Sequence, residues 1–267
     1  MLSGITPALL YCAVHVTAEH DDGRVRKSGS GTGFFVKNNR GELCLITNRH
    51  IVDLGYDSES TCRTSAFELV SVYVRGFVAT DGKPHNVPNE RFGFVILSPP
   101  KFGTVYAEDV AAFIAPRIIL AEGSTGEISY FLDHEFLATD EWIAANINPC
   151  EFVVFPGYPV GRDLYSDRPI VRVGTVSSDP RTNYSHVKLP LGRRVAYEGL
   201  SSEGSSGSPV VAPERAFRGG GGIEISGHRE SRLIGINAGH IVAKFGQHSG
   251  ISYFVRSQAL LDLIDSP

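Results

Sequence analysis

Three residues of this chain could together make a nucleophile of a hydroxyl group. Ser206 lies in Gly204-Ser205-Ser206-Gly207-Ser208-Pro209, His50 follows the run Leu45-Ile46-Thr47-Asn48-Arg49, and Asp109 opens Asp109-Val110-Ala111-Ala112-Phe113. A serine hydroxyl attacks poorly at neutral pH. It needs a histidine to take its proton and a carboxylate to hold that histidine in the right tautomer. The chemistry of such a set is acyl transfer. Each member alone is ordinary: Gly-Ser-Ser-Gly-Ser suits a surface turn, a histidine after an apolar run is commonly packed or solvated, and an aspartate commonly opens a strand. Their joint occurrence is what points to chemistry. Ser205 is the rival nucleophile, but the Gly-x-Ser-Gly spacing favours Ser206. Asp53 and Glu108 are the alternative acids.

The order along the chain, histidine then aspartate then serine, restricts the scaffold. Unrelated folds carry the same three groups in different orders, and α/β-hydrolases run serine, acid, histidine. Their elbow, Gly-x-Ser-x-Gly, also fails here, because anchoring it on Gly204 puts Ser208 where the second glycine belongs.

In these motifs the chain resembles the trypsin-like serine peptidases of the chymotrypsin superfamily, nearest the bacterial HtrA/Deg-like branch. Gly29-Ser30-Gly31-Thr32-Gly33-Phe34-Phe35-Val36 is similar to that branch's glycine-rich approach to a strand, and Leu43 to Val52 to its strand ending in Thr-Asn-x-His-x-Val. Further similarity lies in the aspartate segment at 109–113, in Phe155-Pro156-Gly157-Tyr158-Pro159-Val160-Gly161 and in Val173-Gly174-Thr175-Val176-Ser177-Ser178. It ends with Leu233 to Asn237 and Gly250 to Val255. The resemblance implies that Ser206 attacks a scissile carbonyl, that His50 is general base and then general acid, and that Asp109 orients His50. The backbone N–H groups of Gly204 and Ser206 would form the oxyanion hole.

The resemblance also sets expectations for fold and specificity. It implies an all-β, chymotrypsin-like double β-barrel: a first barrel over about residues 1–120, a connecting segment over about 121–148, a second barrel over about 149–256 and a C-terminal helix over about 257–265. It places the base of the substrate pocket at Leu200, beside a wall of Ile236, Asn237 and Ala238. An apolar base predicts a small or aliphatic residue before the cut bond, since lysine or arginine would need an acid there, and Glu203 at the rim would disfavour acidic neighbours. Ser205 stands where digestive relatives carry the aspartate that pairs with a newly cut N-terminus, so activation by cleavage is not expected. No segment follows the last helix that could form the PDZ module of many HtrA relatives, so substrates must be chosen in another way.

Composition agrees. The chain has 267 residues, 42% of them hydrophobic, enough for a two-lobed β domain. Its 29 glycines and 15 prolines punctuate short Val/Ile/Phe/Tyr-rich runs, the pattern of many strands and turns. Alternation over 70–78 and 170–176 predicts strands. Thr139 followed by Asp140 and Glu141 predicts a helix to Ile147, and Leu260, Leu261 and Ile264 form one face of a second. The first 20 residues read as a barrel strand, with no basic residue ahead of the apolar run. Neither a secretory signal nor a membrane span is expected.

The four cysteines, Cys12, Cys44, Cys62 and Cys150, contain no Cys-x-x-Cys pair. Cys12 and Cys44 fall in apolar runs and read as buried thiols, which suits a reducing, cytoplasmic setting. A net charge of −4 and a pI near 6.1 give no nucleic-acid-binding surface. Gly29 to Gly33 is no phosphate loop, because a strand follows it and Lys-Ser/Thr is missing. No metal or cofactor is expected. Protein or peptide substrates are, and two alternatives stand beside a constitutive peptidase: a conditional effector released by an activating protein partner, and a protease fold kept as a binding module. The stretch from Pro213 to Arg232, with Gly219 to Gly222 inside it, reads as a long loop insertion.

Overall fold

A computed structural model of the chain describes residues 5–59, 65–80, 83, 86–216, 227–243 and 246–266. Two antiparallel sheets carry the architecture. The first contains β1 (Ala13–Asp21), β2 (Arg26–Lys37), β3 (Leu43–Thr47), β4 (Glu68–Val78), β5 (Glu90–Ile96), β6 (Lys101–Phe102), β7 (Ala111–Ile114) and β8 (Ile118–Leu120), in the order β6-β7-β3-β2-β1-β4-β5-β8. Its end strands, β6 and β8, do not pair with each other, so this lobe is a half-barrel. The second lobe is a closed barrel of β9 (Phe152–Gly157), β10 (Ile170–Val176), β11 (Arg194–Glu198), β12 (Pro209–Ala212), β13 (Arg232–Val242) and β14 (His248–Arg256), in the order β10-β11-β14-β13-β12-β9. With few, short helices, this is the chymotrypsin-like double-barrel architecture. Cys62 and the Gly219–Gly222 stretch lie outside the described residues.

The period of two along each strand sorts side chains between cores. In β2, Phe34 enters the cluster shared by the two lobes while Phe35 enters the core of the first. In β3, Cys44 and Ile46 face the shared cluster and Leu45 the first core. In the barrel, Val195, Tyr197, Ile234 and Phe254 fill the interior, and Leu233, Ile236 and Val255 turn out toward the shared cluster. The lobes are thus joined by a continuous apolar layer rather than by surface contacts. Burial drives the thiol pKa of Cys12 up to about 12 and of Cys44 to about 11, so both are inert packing groups.

Among the described residues, four α-helices close the edges. α1 (Pro7–Tyr11) begins where Thr6 accepts a hydrogen bond from the Leu9 N–H at 3.3 Å, with proline in the first turn. That cap, and the φ which proline fixes, convert the start of the expected strand into a helical turn. α2 (Arg49–Val52) carries His50. α3 (Asp140–Asn146) has the Thr139 cap and acidic first turn that the sequence predicted. The segment before it is sewn to both lobes, Leu132 bridging Val36 and Leu137 bridging Leu233. α4 (Gln258–Ile264) packs Leu260 and Ile264, both 0% exposed, into the shared layer. Leu260→Ala should therefore cost about 2–5 kcal/mol, read as a lowered midpoint in urea denaturation.

Candidate active site

The structure brings His50 and Asp109 together. The His50 ring lies with Nδ1 2.6 Å from Asp109 Oδ2, and the His50 backbone N–H donates to Oδ1 at 3.0 Å. An ionised carboxylate only accepts, so Nδ1 carries the proton and Nε2 is left as a bare acceptor. Asn48, capping α2 from the end of β3, donates through Nδ2 to the Asp109 carbonyl at 2.6 Å. One short stretch thus grips Asp109 three times. Burial draws the imidazole toward its neutral form, and the charge and hydrogen bond of Asp109 outweigh it, so His50 titrates above the ordinary histidine value.

The two alternative acids are otherwise engaged. Asp53 holds Arg49 at 3.2 Å, on a guanidinium ringed by Tyr56, Phe102 and Tyr106. Glu108, 2% exposed, takes Arg193 through both oxygens at 2.6 and 2.8 Å. Arg193 lies just ahead of β11, so this buried, bidentate pair ties the residue before Asp109 to the second lobe.

Ser206 comes from the second lobe, in the loop between β11 and β12. Ser202 to Ser205 form a turn closed by Ser205 N–H to Ser202 O at 2.9 Å, with Gly204 in its third position at φ +84°. Such a turn needs positive φ there, the conformation glycine adopts without strain. A side chain at 204 would also meet the Tyr158 carbonyl, its Cβ only 2.5 Å away. Among the described residues, the N–H groups of Gly204 and Ser206 have no acceptor, while Ser205, Gly207 and Ser208 donate within the chain. Ser205 is 1% exposed and Ser206 is half-buried. No hydrogen bond joins Ser206 Oγ to His50 Nε2. Their supports are adjacent, however: a Cβ on Gly31 would stand 3.0 Å from the Ser206 carbonyl and 2.3 Å from the Ile51 side chain next to His50.

The brace beneath the loop is a residue that sequence reading left without a role. Thr32 Oγ1 donates to the Gly204 carbonyl at 2.8 Å and accepts from the Tyr158 N–H at 2.9 Å. Its backbone N–H donates to the Ser206 carbonyl at 2.8 Å, and its carbonyl accepts from Thr47 Oγ1 at 2.8 Å. Gly207, at φ +88°, leaves room for that carbonyl, which a Cβ would approach to 1.8 Å.

The residues expected to form the substrate pocket lie in different surroundings. Leu200 is 68% exposed, and its carbonyl accepts from Arg172. Ile236 is fully buried in the interlobe layer. Asn237 is a buried brace: its backbone exchanges hydrogen bonds with Gly207 N–H and Ser208 O at 2.9 Å, and Nδ2 donates to Ser205 O and Ser201 Oγ, also at 2.9 Å. Ala238 is buried beside it. An alternation rule cannot foresee this, because β13 changes register at a bulge after Asn237.

Among the described residues no group of three His, Cys, Asp or Glu side chains is placed to hold a metal ion, and no helix is long and apolar enough to cross a membrane. The fold is a chymotrypsin-like double barrel, and Gly31 lies between the helix that carries His50 and the turn that carries Ser206. Among solved structures, the HtrA-type protease AlgW, in a serine-to-alanine form with a decapeptide, shares this fold at a TM-score of 0.52 and 12% identity, over 96% of this chain and 63% of that one. Deg5 shares it at a TM-score of 0.51 and 17% identity, over 96% of this chain and 90% of that one. The chain therefore spans less than two thirds of the AlgW chain, and at these identities the likeness is one of fold. No protein-family model and no curated protein matches the sequence.

Thr32→Val should leave the Tyr158 N–H and Gly204 carbonyl unpaired in a buried place, a loss of about 1–3 kcal/mol. Thr32→Ser, which keeps the hydroxyl, should recover most of it; urea denaturation of both variants checks this.

Proposed function

We propose that the chain is a serine endopeptidase acting on protein or peptide substrates, with Ser206 as nucleophile, His50 as base and Asp109 as orienting acid. The observation that carries the proposal is the Asp109 carboxylate fixed on both the ring and the backbone of His50, next to Ile51, which shares Gly31 as a neighbour with the Ser206 carbonyl. In this reading His50 Nε2 takes the Ser206 proton as Oγ attacks the carbonyl. The oxyanion is held by the Gly204 and Ser206 amides, and the imidazolium is stabilised by Asp109 and then protonates the leaving amine. The amine leaves with the C-terminal part of the substrate, and water hydrolyses the acyl-enzyme by the same route. The absent Ser206–His50 hydrogen bond suits a free enzyme, since such bonds often tighten only in the complex with substrate.

Labelling by an alkyl fluorophosphonate tests the proposal directly. The wild type should label and Ser206→Ala should not; an unlabelled wild type, or labelling that persists in Ser206→Ala, overturns it. Asp109→Asn should lower turnover by roughly 10⁴-fold, the size of the effect when a triad aspartate is replaced. The raised pKa of His50 means that the protonated, inactive base persists to higher pH. The acid limb of kcat/KM should therefore have its midpoint above an ordinary histidine's value of about 6.5, and Asp109→Asn should move that limb to lower pH.

A further inference from the structure

A second polar cluster lies against the serine loop, and the triad does not use it. Asn237 connects the two, donating to both Ser205 O and Ser201 Oγ. Beyond Ser201, the Ser252 hydroxyl of β14 donates to the Gly199 carbonyl at 2.8 Å, and the Tyr197 hydroxyl donates to Asn237 Oδ1 at 2.7 Å. Ser201, Ser252, Tyr197 and Asn237 are all buried. Above this hydroxyl-rich floor stand two half-buried imidazoles: His240, the register partner of Ser252, and His248, stacked at 4.5 Å and 18°.

The proton on His248 can be placed. The Gly250 N–H donates to Nδ1 at 2.8 Å, and a backbone amide cannot accept, so Nδ1 is bare and Nε2 bears the hydrogen. Nε2 lies 3.3 Å from Ser252 Oγ, whose own proton is directed at Gly199. His248 thus offers an N–H donor just above the floor. Burial holds His248 below the usual histidine range, with His240 and Arg172 acting the same way and only the Ser201 backbone opposing; no carboxylate is among these influences. Glu198 and Glu203, the acids nearest in sequence, are exposed.

We infer that this cluster is the pocket for the residue on the acyl side of the cut bond, and that it selects a glutamate or aspartate there. The inference rests on the peptidase reading. Asn237, donating at 2.9 Å to both Ser205 O and Ser201 Oγ, sets the cluster directly beside the residue preceding Ser206, so a side chain next to the carbonyl that Ser206 attacks would reach it. A carboxylate would accept from the His248 Nε2–H, whose partner is otherwise Ser252 Oγ at 3.3 Å, and its presence would favour imidazolium. A leucine would gain no hydrogen bond there. A lysine would face Arg172 and the imidazoles. The small or aliphatic preference expected from Leu200 gives way here, because Leu200 points into solvent.

The test is the labelling rate with peptidyl phosphonates identical except for Glu, Gln, Leu or Lys beside phosphorus, each expressed relative to the alkyl fluorophosphonate rate of the same protein. Glu should exceed its isostere Gln by roughly tenfold or more, the value of one charge-assisted hydrogen bond. His248→Leu should bring that ratio near one, and His240→Gln should lower it, so that either variant suffices if the other fails to fold. Fastest labelling with Leu or Lys, on a protein that reacts with the alkyl probe, overturns the carboxylate pocket and spares the serine reading. A protein that the alkyl probe does not label overturns both.

Discussion

Everything at the cleft depends on one buried threonine. Thr32 sits in β2 of the first lobe, yet its hydroxyl and amide hold Gly204, Tyr158 and Ser206 of the second, while its carbonyl receives Thr47 at the threshold of α2. Each bond replaces water at a place where an unpaired group would be costly, so the four act as a geometrical lock. The turn carrying Gly204 cannot tilt without stranding the threonine hydroxyl, and α2 cannot shift without disturbing the same strand. Serine loop and histidine helix are thereby referenced to one residue, although they belong to different sheets.

A second constraint acts on the acid. The Glu108–Arg193 pair is sequestered at the lobe boundary, and Arg194 beside it is fully buried, donating to the Ala107 carbonyl and lying over the Tyr253 ring. Breaking a buried pair leaves an uncompensated charge, which is why such pairs fix geometry even when they add little net stability. Asp109 inherits this rigidity from its neighbour.

The sequence disclosed what depends on local pattern. Alternation located β4 and β10, a threonine cap with two acids located α3, and the motif contexts singled out His50 and Asp109, which the fold brings into contact. It did not disclose Thr32, whose hydroxyl partners lie 172 and 126 positions away; nothing around residue 32 marks that threonine as different from any other in a glycine-rich strand. The hydroxyl cluster beside the serine loop escaped notice for a related reason, because Tyr197, Asn237 and Ser252 come from β11, β13 and β14 and meet only in the folded barrel. α1 is the opposite case, since the Thr6-Pro7 signal was present but the apolar run behind it read as strand.

The division of the site between lobes also has a temporal side. In chain order every strand of the half-barrel, with His50 and Asp109, comes before Ser206. The closed barrel must then wait for β14, and the apolar layer between the lobes for α4. Whatever reaction the cleft performs therefore awaits β14 and α4, both of which follow His50, Asp109 and Ser206 in chain order.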